Sequence, residues 1–157
     1  LTVSNAAGVT LAQATNLNTT GVLTFTAGIL ANTANLGITN TSGSAIAGAS
    51  STSFVSGPLV WSLATTGITY VFPVGKGGNY YPFTLANPTG TAPVVTVQAY
   101  NANPAGTFTA PITILSNTEY WAVSFTGTYT GGTVSLSGSY GNLFPVVWRA
   151  RGTRGDF

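Results

Sequence analysis

The stretch FPVGKGGNYYP, residues 72–82, holds residue types that could bind a phosphate: Lys76, the only lysine of the chain, lies between glycines. A phosphate-binding P-loop has the pattern G-x-x-x-x-G-K-[ST] and leads into a helix. Here two glycines and Asn79 follow the lysine, and the next residues indicate a strand. The sequence therefore predicts a strand, a glycine loop and a strand, with Phe72 and Phe83 anchoring the two sides in the core.

The chain lacks the side chains that acid, base or nucleophilic catalysis requires. Glu119 and Asp156 are the only carboxylates, whereas glycoside hydrolysis needs two of them held a defined distance apart. Asp156 is next to the last residue, where order is poor, so the two are not expected to act as a pair. The chain has no His and no Cys, which excludes a Ser-His-Asp triad and the commonest metal ligands. We predict a protein that is not an enzyme and that holds no metal ion or other cofactor.

Three aromatic residues are candidates for stacking on a sugar ring: Tyr80, Tyr81 and Trp121. If Tyr80 and Tyr81 lie on one strand, they point to opposite faces of the sheet, so at most one of them is buried while the other faces outward. Packing in the core is the more common role of a tryptophan. A carbohydrate-binding surface that uses these residues is therefore only our second hypothesis for the function.

Three short motifs remain. The final residues, RGTRGDF, contain the tripeptide RGD at 154–156. Short matches of this kind also arise by chance, and we interpret the segment as a solvated terminus. Asn18 begins the sequon NTT and Asn40 begins the sequon NTS. Both fit the acceptor pattern for N-glycosylation, which matters only in an organism that glycosylates asparagine.

Charge is almost absent, and this property bears most on the class of partner. Charged residues make up 4% of the chain, none of them within residues 1–75, and the formal net charge is +2. Nucleic-acid binding needs several Lys or Arg side chains on one face, so we expect no nucleic-acid partner. There is no apolar run long enough for a membrane span. A neutral surface of Thr, Ser, Asn and Gly has little repulsion against copies of itself.

The elements that position these residues are predicted to be strands throughout, because Thr, Val, Tyr, Phe and Ile alternate with Gly, Asn and Pro punctuation. In residues 1–55 the apolar residues come in short bursts such as LTV, VTL and GVLTFTAGIL. Such bursts are typical either of a short β-solenoid, in which each turn is closed by its neighbours, or of an antiparallel meander. The sequence leaves both open.

The second part, residues 56–157, indicates longer and more aromatic strands, and their spacing favours an antiparallel β-sandwich. Turns are expected at NPTG and TYTGG, among others. Pro82 is expected at a strand start or on an edge strand. The predicted core residues are Phe72, Phe83, Val95, Val97, Tyr120, Ala122, Val134 and Trp148.

Several stretches together resemble a recurrent module of large secreted surface proteins from Bacteroidetes-type bacteria. They are the β-rich segment 22–38, FVSGPL at 54–59, FPVGK at 72–76, YYP at 80–82 and TEYW at 118–121. The resemblance implies an extracellular or cell-surface location, export by a type IX secretion system and a role in adhesion or in an extracellular matrix. It carries over no catalytic residue. In that family a further strand follows the region that matches PVVWRA, so the sandwich here is expected to lack its closing strand.

These observations together predict a structural subunit or repeat module of a surface fibre or adhesin, assembled from copies of itself. A sandwich without its last strand exposes unpaired backbone groups, and a strand from a neighbour can fill the gap. The uncharged N-terminal stretch is the predicted donor and subunit-interface strand, with Leu1, Thr2, Val3, Val9 and Leu11 as its contact residues. Neighbouring modules or a polysaccharide are the other partners considered.

Overall fold

The structure is a computed structural model that describes residues 1–32, 35–65, 67–105 and 117–136. These residues form strands and no α-helix, which confirms the predicted all-β class. No helix in this part of the chain is long and apolar enough to cross a membrane. The strands, in chain order, are β1 (Thr2–Ser4), β2 (Val9–Leu11), β3 (Thr15–Leu17), β4 (Leu23–Ala27), β5 (Leu30–Asn32), β6 (Leu36–Ile38), β7 (Ile46–Ala47), β8 (Val55–Ser56), β9 (Leu59–Ser62), β10 (Thr69–Phe72), β11 (Gly75–Lys76), β12 (Asn79–Tyr80), β13 (Phe83–Tyr100) and β14 (Tyr120–Leu136).

The first nine strands wind into a parallel coil with three faces. Strands β1, β4 and β7 form the first face, β2, β5 and β8 the second, and β3, β6 and β9 the third, and every pair within a face is parallel. Val9 lies beside Leu30 and Leu30 beside Val55, so one turn takes 21 residues, from 9 to 30, and the next takes 25, from 30 to 55. A meander would pair its strands antiparallel, so the solenoid alternative is the correct one.

Equivalent positions of successive turns stack in register, which explains why each burst of apolar residues is so short. Leu17, Ile38 and Trp61 form one row across the third face. A three-residue strand can bury only one or two side chains on its inner side, and the core is completed by the neighbouring turns. The coil therefore derives its stability from contacts between turns rather than from any single strand.

The parallel arrangement changes to an antiparallel one at β9. This strand pairs with β6 in parallel on one edge and with β13 antiparallel on the other. The parallel pairing thus extends beyond residue 55 to the end of β9. One edge of β13 holds β10 and β9 in succession, and its other edge pairs with β14 along nearly its whole length. The antiparallel strands give the second part its sandwich-like sheets.

Aromatic rings join the coil to the antiparallel strands in one core. The Trp61 ring lies edge-on to Tyr70 at 5.0 Å and to Phe72 at 5.3 Å between centroids, and Phe72 lies edge-on to Phe83 at 5.9 Å. All four are fully buried. Such pairs contribute about 0.5–1.5 kcal/mol each beyond the apolar area that they bury. The third turn of the coil and the strands after it therefore share one hydrophobic cluster.

The NPTG and TYTGG stretches do not form the turns that the sequence predicted, but lie inside the long strands β13 and β14. Asn87 and Ala92 have positive φ angles of 53° and 45°, and the register of β13 against β14 shifts between Ala86 and Val94. Extra residues of this kind form bulges, which bend a strand without ending it. The strand bends where its partner changes from β10 to β9.

The predicted core is right on β10 and β13, and on β14 it is wrong by one residue at Tyr120 and Ala122. Phe72, Phe83, Val95 and Val97 are buried, and Val134 packs against the core while partly exposed. Tyr120 is only half-buried and Ala122 is exposed, because the pairing of Ala99 with Trp121 turns the odd-numbered residues inward. The predicted core residue Trp148 lies outside the described residues.

We expect the stability of the chain to fall at alkaline pH because of its buried tyrosines. Burial raises the pKa of Tyr70, although its backbone hydrogen bond with Ala64 lowers it, and burial also raises the pKa of Tyr80 and Tyr129. A tyrosine of the unfolded chain ionises near pH 10, so the folded state favours the neutral form. The stabilising contribution is complete below about pH 10 and is lost as the pH rises through the higher folded-state pKa.

Urea unfolding at a series of pH values from neutral to strongly alkaline measures this loss. Replacing Tyr70 with phenylalanine removes one titrating hydroxyl and should flatten the alkaline decline, although it also removes the hydrogen bond from the hydroxyl to the Thr41 carbonyl. A free energy of unfolding that stays constant well above pH 10 would show that burial does not favour the neutral tyrosines.

Candidate functional site: the open edge of the first turn

The first turn of the coil presents backbone groups along an open edge. Val9 donates its N–H to the Ile29 carbonyl at 2.9 Å, and Thr15 donates to the Asn35 carbonyl at 3.2 Å. Successive residues of a strand direct their backbone groups to opposite sides. Thr10 and Asn16 therefore direct theirs away from the second turn. Within the described residues no strand pairs with this outer side of β1, β2 or β3.

Strand β1 also directs alternate backbone groups away from the second turn. The three strands together supply four such residues, which we call the open edge: Thr2, Ser4, Thr10 and Asn16. Thr24 donates its N–H to the carbonyl of Leu1, and Asn5 donates to the carbonyl of Ala27. The backbone groups of Thr2 and Ser4, which alternate with these, therefore point outward. All four side chains of the open edge are exposed and uncharged.

The apolar side chains beside the open edge are partly exposed. Leu1 is 49% exposed and Val9 is 38% exposed, although Leu30, the next residue in the row of Val9, is buried. Leu11 and Leu17 are half-buried against the core. These side chains have a neighbouring turn on one side only, so covering the open edge would bury further apolar area.

The stretch predicted as a donor strand is held in the chain's own coil. Thr2 and Val3 pair with β4, and Val9 and Leu11 pair with β5. Val3 is 1% exposed, so moving β1 into a neighbour would remove it from its own core. The five predicted interface residues thus lie together at one end of the molecule, where they can accept a strand without leaving their places.

The aromatic candidates do not form one platform. Tyr81 is 5% exposed and its ring lies edge-on to Trp121 at 6.1 Å, so the expectation that Tyr81 stacks on a ligand is wrong because neither face of its ring is accessible. Trp121 is half-buried and donates its Nε1–H to the Tyr81 carbonyl at 2.8 Å. Tyr80 is half-buried beside Phe54, at 5.6 Å between ring centroids. The two tyrosines have different neighbours, but Tyr81 lies outside β12, so the prediction made for two tyrosines on one strand does not apply.

A more exposed aromatic pair lies on the outer face of the antiparallel sheet. Tyr100 and Tyr120 are opposite each other on β13 and β14, and their rings stack at 4.6 Å with an interplanar angle of 4°. Both are half-buried. The sequence did not predict this pair, because the expected register placed Tyr120 in the core. The alternation of Trp121, Val123 and Phe125 was the signal that assigns Tyr120 to the outer face.

The GKGG stretch forms a tight hairpin, as predicted. Gly75 pairs with Tyr80 and Lys76 with Asn79, and the two central glycines have φ angles of 60° and 82°. Positive φ at both central residues defines the type I′ turn, whose twist matches that of the flanking strands. The Lys76 side chain is exposed. The glycines thus meet the conformational demand of a turn, and the segment does not lead into a helix as a P-loop does.

Glu119 is the only carboxylate among the described residues. Glu119 is 4% exposed and accepts a hydrogen bond from the Thr118 hydroxyl at 2.5 Å, and the other carboxylate, Asp156, lies outside the described residues. No group of three or more His, Cys, Asp or Glu side chains that could hold a metal ion occurs in this part of the chain. The open edge can pair backbone groups and bury apolar side chains.

Comparison with protein-family models, with curated proteins and with solved structures found no match. The functional interpretation therefore depends on the geometry of the chain itself and on its sequence.

Proposed function

We propose that this chain is a non-enzymatic extracellular structural protein, a subunit or repeat module of a surface fibre or adhesin, which associates with copies of itself by strand pairing. The observation that carries the proposal is the open edge, where four exposed, uncharged residues direct their backbone groups outward. The resemblance of the segments 54–59, 72–76, 80–82 and 118–121 to modules of secreted surface proteins supports the cell-surface location.

The open edge has the properties of a strand-pairing template. Soluble proteins protect such edges with lysines, prolines or inward-pointing charges, and the three edge strands contain none of these. The opposite sides of the same strands already hold the second turn in parallel register. A partner would therefore meet three short strands at once and would cover Leu1 and Val9.

A second copy of the chain is the partner that fits best. Two open edges that meet about a two-fold axis pair their strands antiparallel, and neither presents a charged side chain to the other. Within the described residues β14 pairs only with β13, so its other edge, which carries no charged residue, offers a second contact of the same kind. Two different two-fold contacts at opposite sides of one molecule produce an open chain of subunits when their axes do not intersect, and a fibre requires this arrangement.

Thr10→Pro tests the proposal at the open edge. Proline removes one outward N–H and obstructs an incoming strand, yet it breaks no hydrogen bond to the second turn because Thr10 faces away from it. We expect the wild-type chain to associate with rising concentration in sedimentation velocity and to form filaments in negative-stain microscopy. Thr10→Pro should remain largely monomeric, or at most pair through β14.

Thr10→Ala is the matched control, since it keeps the N–H and should associate like the wild type. Circular dichroism establishes that all three chains are folded. A wild-type chain that stays monomeric at high concentration contradicts the proposal, and so does a folded Thr10→Pro variant that assembles as readily as the wild type.

Carbohydrate binding is the second candidate, and the stacked pair of Tyr100 and Tyr120 is the observation that favours it. Aromatic faces suit the apolar face of a pyranose ring. A glycan array followed by Tyr120→Ala distinguishes this candidate from the first. Tyr129→Ala is the control, because Tyr129 stacks on Phe125 at 4.1 Å and packs against the core. Glycan binding that is abolished by Tyr120→Ala and not by Tyr129→Ala favours the sugar site. An array on which the wild-type chain binds no glycan excludes this candidate function.

A further inference from the structure

We propose that the folded chain presents Asn18, and not Asn40, as an acceptor site for N-glycosylation. Both residues begin an N-x-[ST] sequon, so the sequence alone does not separate them. Asn18, Thr19 and Thr20 form an exposed turn between β3 and β4. The turn is closed by a hydrogen bond from the Gly21 N–H to the Asn18 carbonyl at 2.9 Å.

The hydrogen bonds of the Asn18 side chain favour transfer of a sugar to its nitrogen, Nδ2. Its Oδ1 accepts hydrogen bonds from the Thr20 N–H at 3.3 Å and from the Thr20 hydroxyl at 3.2 Å. Donors at Oδ1 stabilise negative charge on that oxygen, which makes the Nδ2 protons easier to remove as the nitrogen attacks. Among the described residues no group accepts a hydrogen bond from Nδ2, so the nucleophilic atom faces solvent.

Asn40 shares one of these bonds, since its Oδ1 accepts from the Ser42 N–H at 3.0 Å, but it differs in the others. Its Nδ2 donates a hydrogen bond to the Gly21 carbonyl at 3.0 Å, which ties the side chain to the preceding turn of the coil. Its main-chain carbonyl accepts a hydrogen bond from Nε1 of the buried Trp61 at 2.8 Å. The hydroxyl of Ser42 lies 2.8 Å from the hydroxyl of Ser44 and does not donate to Oδ1. Modification of Asn40 would require this region to open first.

The reaction is a substitution at the anomeric carbon of an activated sugar, such as a nucleoside diphosphate sugar. The Asn18 Nδ2 forms a bond to that carbon while the bond from the carbon to the phosphate oxygen breaks. The nucleoside diphosphate leaves with the electron pair, and one Nδ2 proton passes to a base of the transferase. No oxidation or reduction takes place, and the product is an N-linked sugar on an exposed turn.

The test uses the folded chain, a nucleoside diphosphate hexose and a soluble N-glycosyltransferase that accepts N-x-[ST] sequons. Intact mass and peptide mapping give the extent of modification at each asparagine. In the folded chain we expect one hexose, at Asn18, with at least about tenfold less at Asn40, which corresponds to about 1.4 kcal/mol of discrimination. Asn18→Gln should remove the modification and Asn40→Gln should leave it unchanged.

Synthetic peptides that span each sequon are the control for the transferase, and both should be modified at similar rates. Preference for Asn18 in the folded chain together with equal use of the peptides supports the proposal. Equal modification of both asparagines in the folded chain overturns it, and so does a folded chain that stays unmodified while its peptides react. The result is independent of self-association, because the test is run at a concentration where the chain is monomeric by sedimentation.

Discussion

Trp61→Ala is expected to destabilise the chain by about 3–5 kcal/mol, the range for truncating a fully buried tryptophan. Trp61 has no exposed surface, and its ring contacts both Tyr70 and Phe72. Its Nε1–H donates to the Asn40 carbonyl at 2.8 Å, so truncation also leaves that carbonyl without a partner. Trp61 lies on β9, which pairs with β6 of the coil on one edge and with β13 of the antiparallel sheet on the other. The loss therefore affects both parts at once.

Trp121→Ala is the matched control for this prediction. Trp121 also donates its indole N–H to a main-chain carbonyl at 2.8 Å, but it is only half-buried and lies on the edge strand β14. Its replacement should cost clearly less free energy of unfolding in urea. Where Trp61→Ala is too unstable to purify, Trp61→Phe keeps the ring contacts, and the lost hydrogen bond should still cost about 1–3 kcal/mol. Equal losses at Trp61 and Trp121 would show that β9 does not couple the two parts.

Gly48→Ala is expected to destabilise the chain by about 2–5 kcal/mol, the sum of left-handed backbone strain and overpacking. Gly48 follows β7 at a corner of the coil and has a φ angle of 73°. A Cβ at this position would collide with the carbonyl oxygen of Phe25 in the preceding turn. A backbone carbonyl cannot move aside without separating the two turns. The glycine is therefore what allows the turns to stack closely at this corner.

Gly78→Ala separates the two contributions. Gly78 has a similar φ angle of 82°, but no atom lies within 4 Å of a Cβ built there. Its replacement should cost only the strain, about 1–2 kcal/mol. Unfolding in urea gives both values, and the difference between them measures the collision between turns. A Gly48→Ala variant no less stable than Gly78→Ala would mean that the corner relaxes freely.

The sequence predicted the all-β class because strand formation depends on local residue types, and those signals are strong here. The bursts around Val3, Leu23 and Leu36 marked the strands of the coil correctly. They could not distinguish parallel from antiparallel pairing, since a three-residue burst buries the same side chain in either arrangement. The choice depends on contacts between residues more than twenty positions apart, which a single sequence without an obvious repeat does not show.

Predictions for the long strands failed where local turn signals compete with sheet pairing. Asn87, Pro88 and Gly90 are typical turn residues, yet they form bulges because β14 continues to pair with β13 past them. The failure at Tyr120 and Ala122 has a related cause. Side chains alternate with a period of two, so an error of one residue in the register exchanges the inner and the outer face.

The candidate site was predicted in part. The sequence placed the interface residues Leu1, Thr2, Val3, Val9 and Leu11 in one uncharged stretch, and the structure brings them to one end of the coil. It could not show that this stretch pairs with its own second turn. Which of its backbone groups point outward follows from the register of those pairs alone, so Ser4, Thr10 and Asn16 could not be identified from the sequence.

Hydrogen exchange at the open edge tests the central proposal most directly, because it reports on the backbone groups that would form the contact. At low concentration the amides of Thr2, Ser4, Thr10 and Asn16 should exchange rapidly, while that of Val9, bonded to the Ile29 carbonyl, should be protected. As the concentration rises and the chain assembles, the four edge amides should become protected together. Assembled chains in which these four amides still exchange as in the monomer would contradict strand pairing at the open edge.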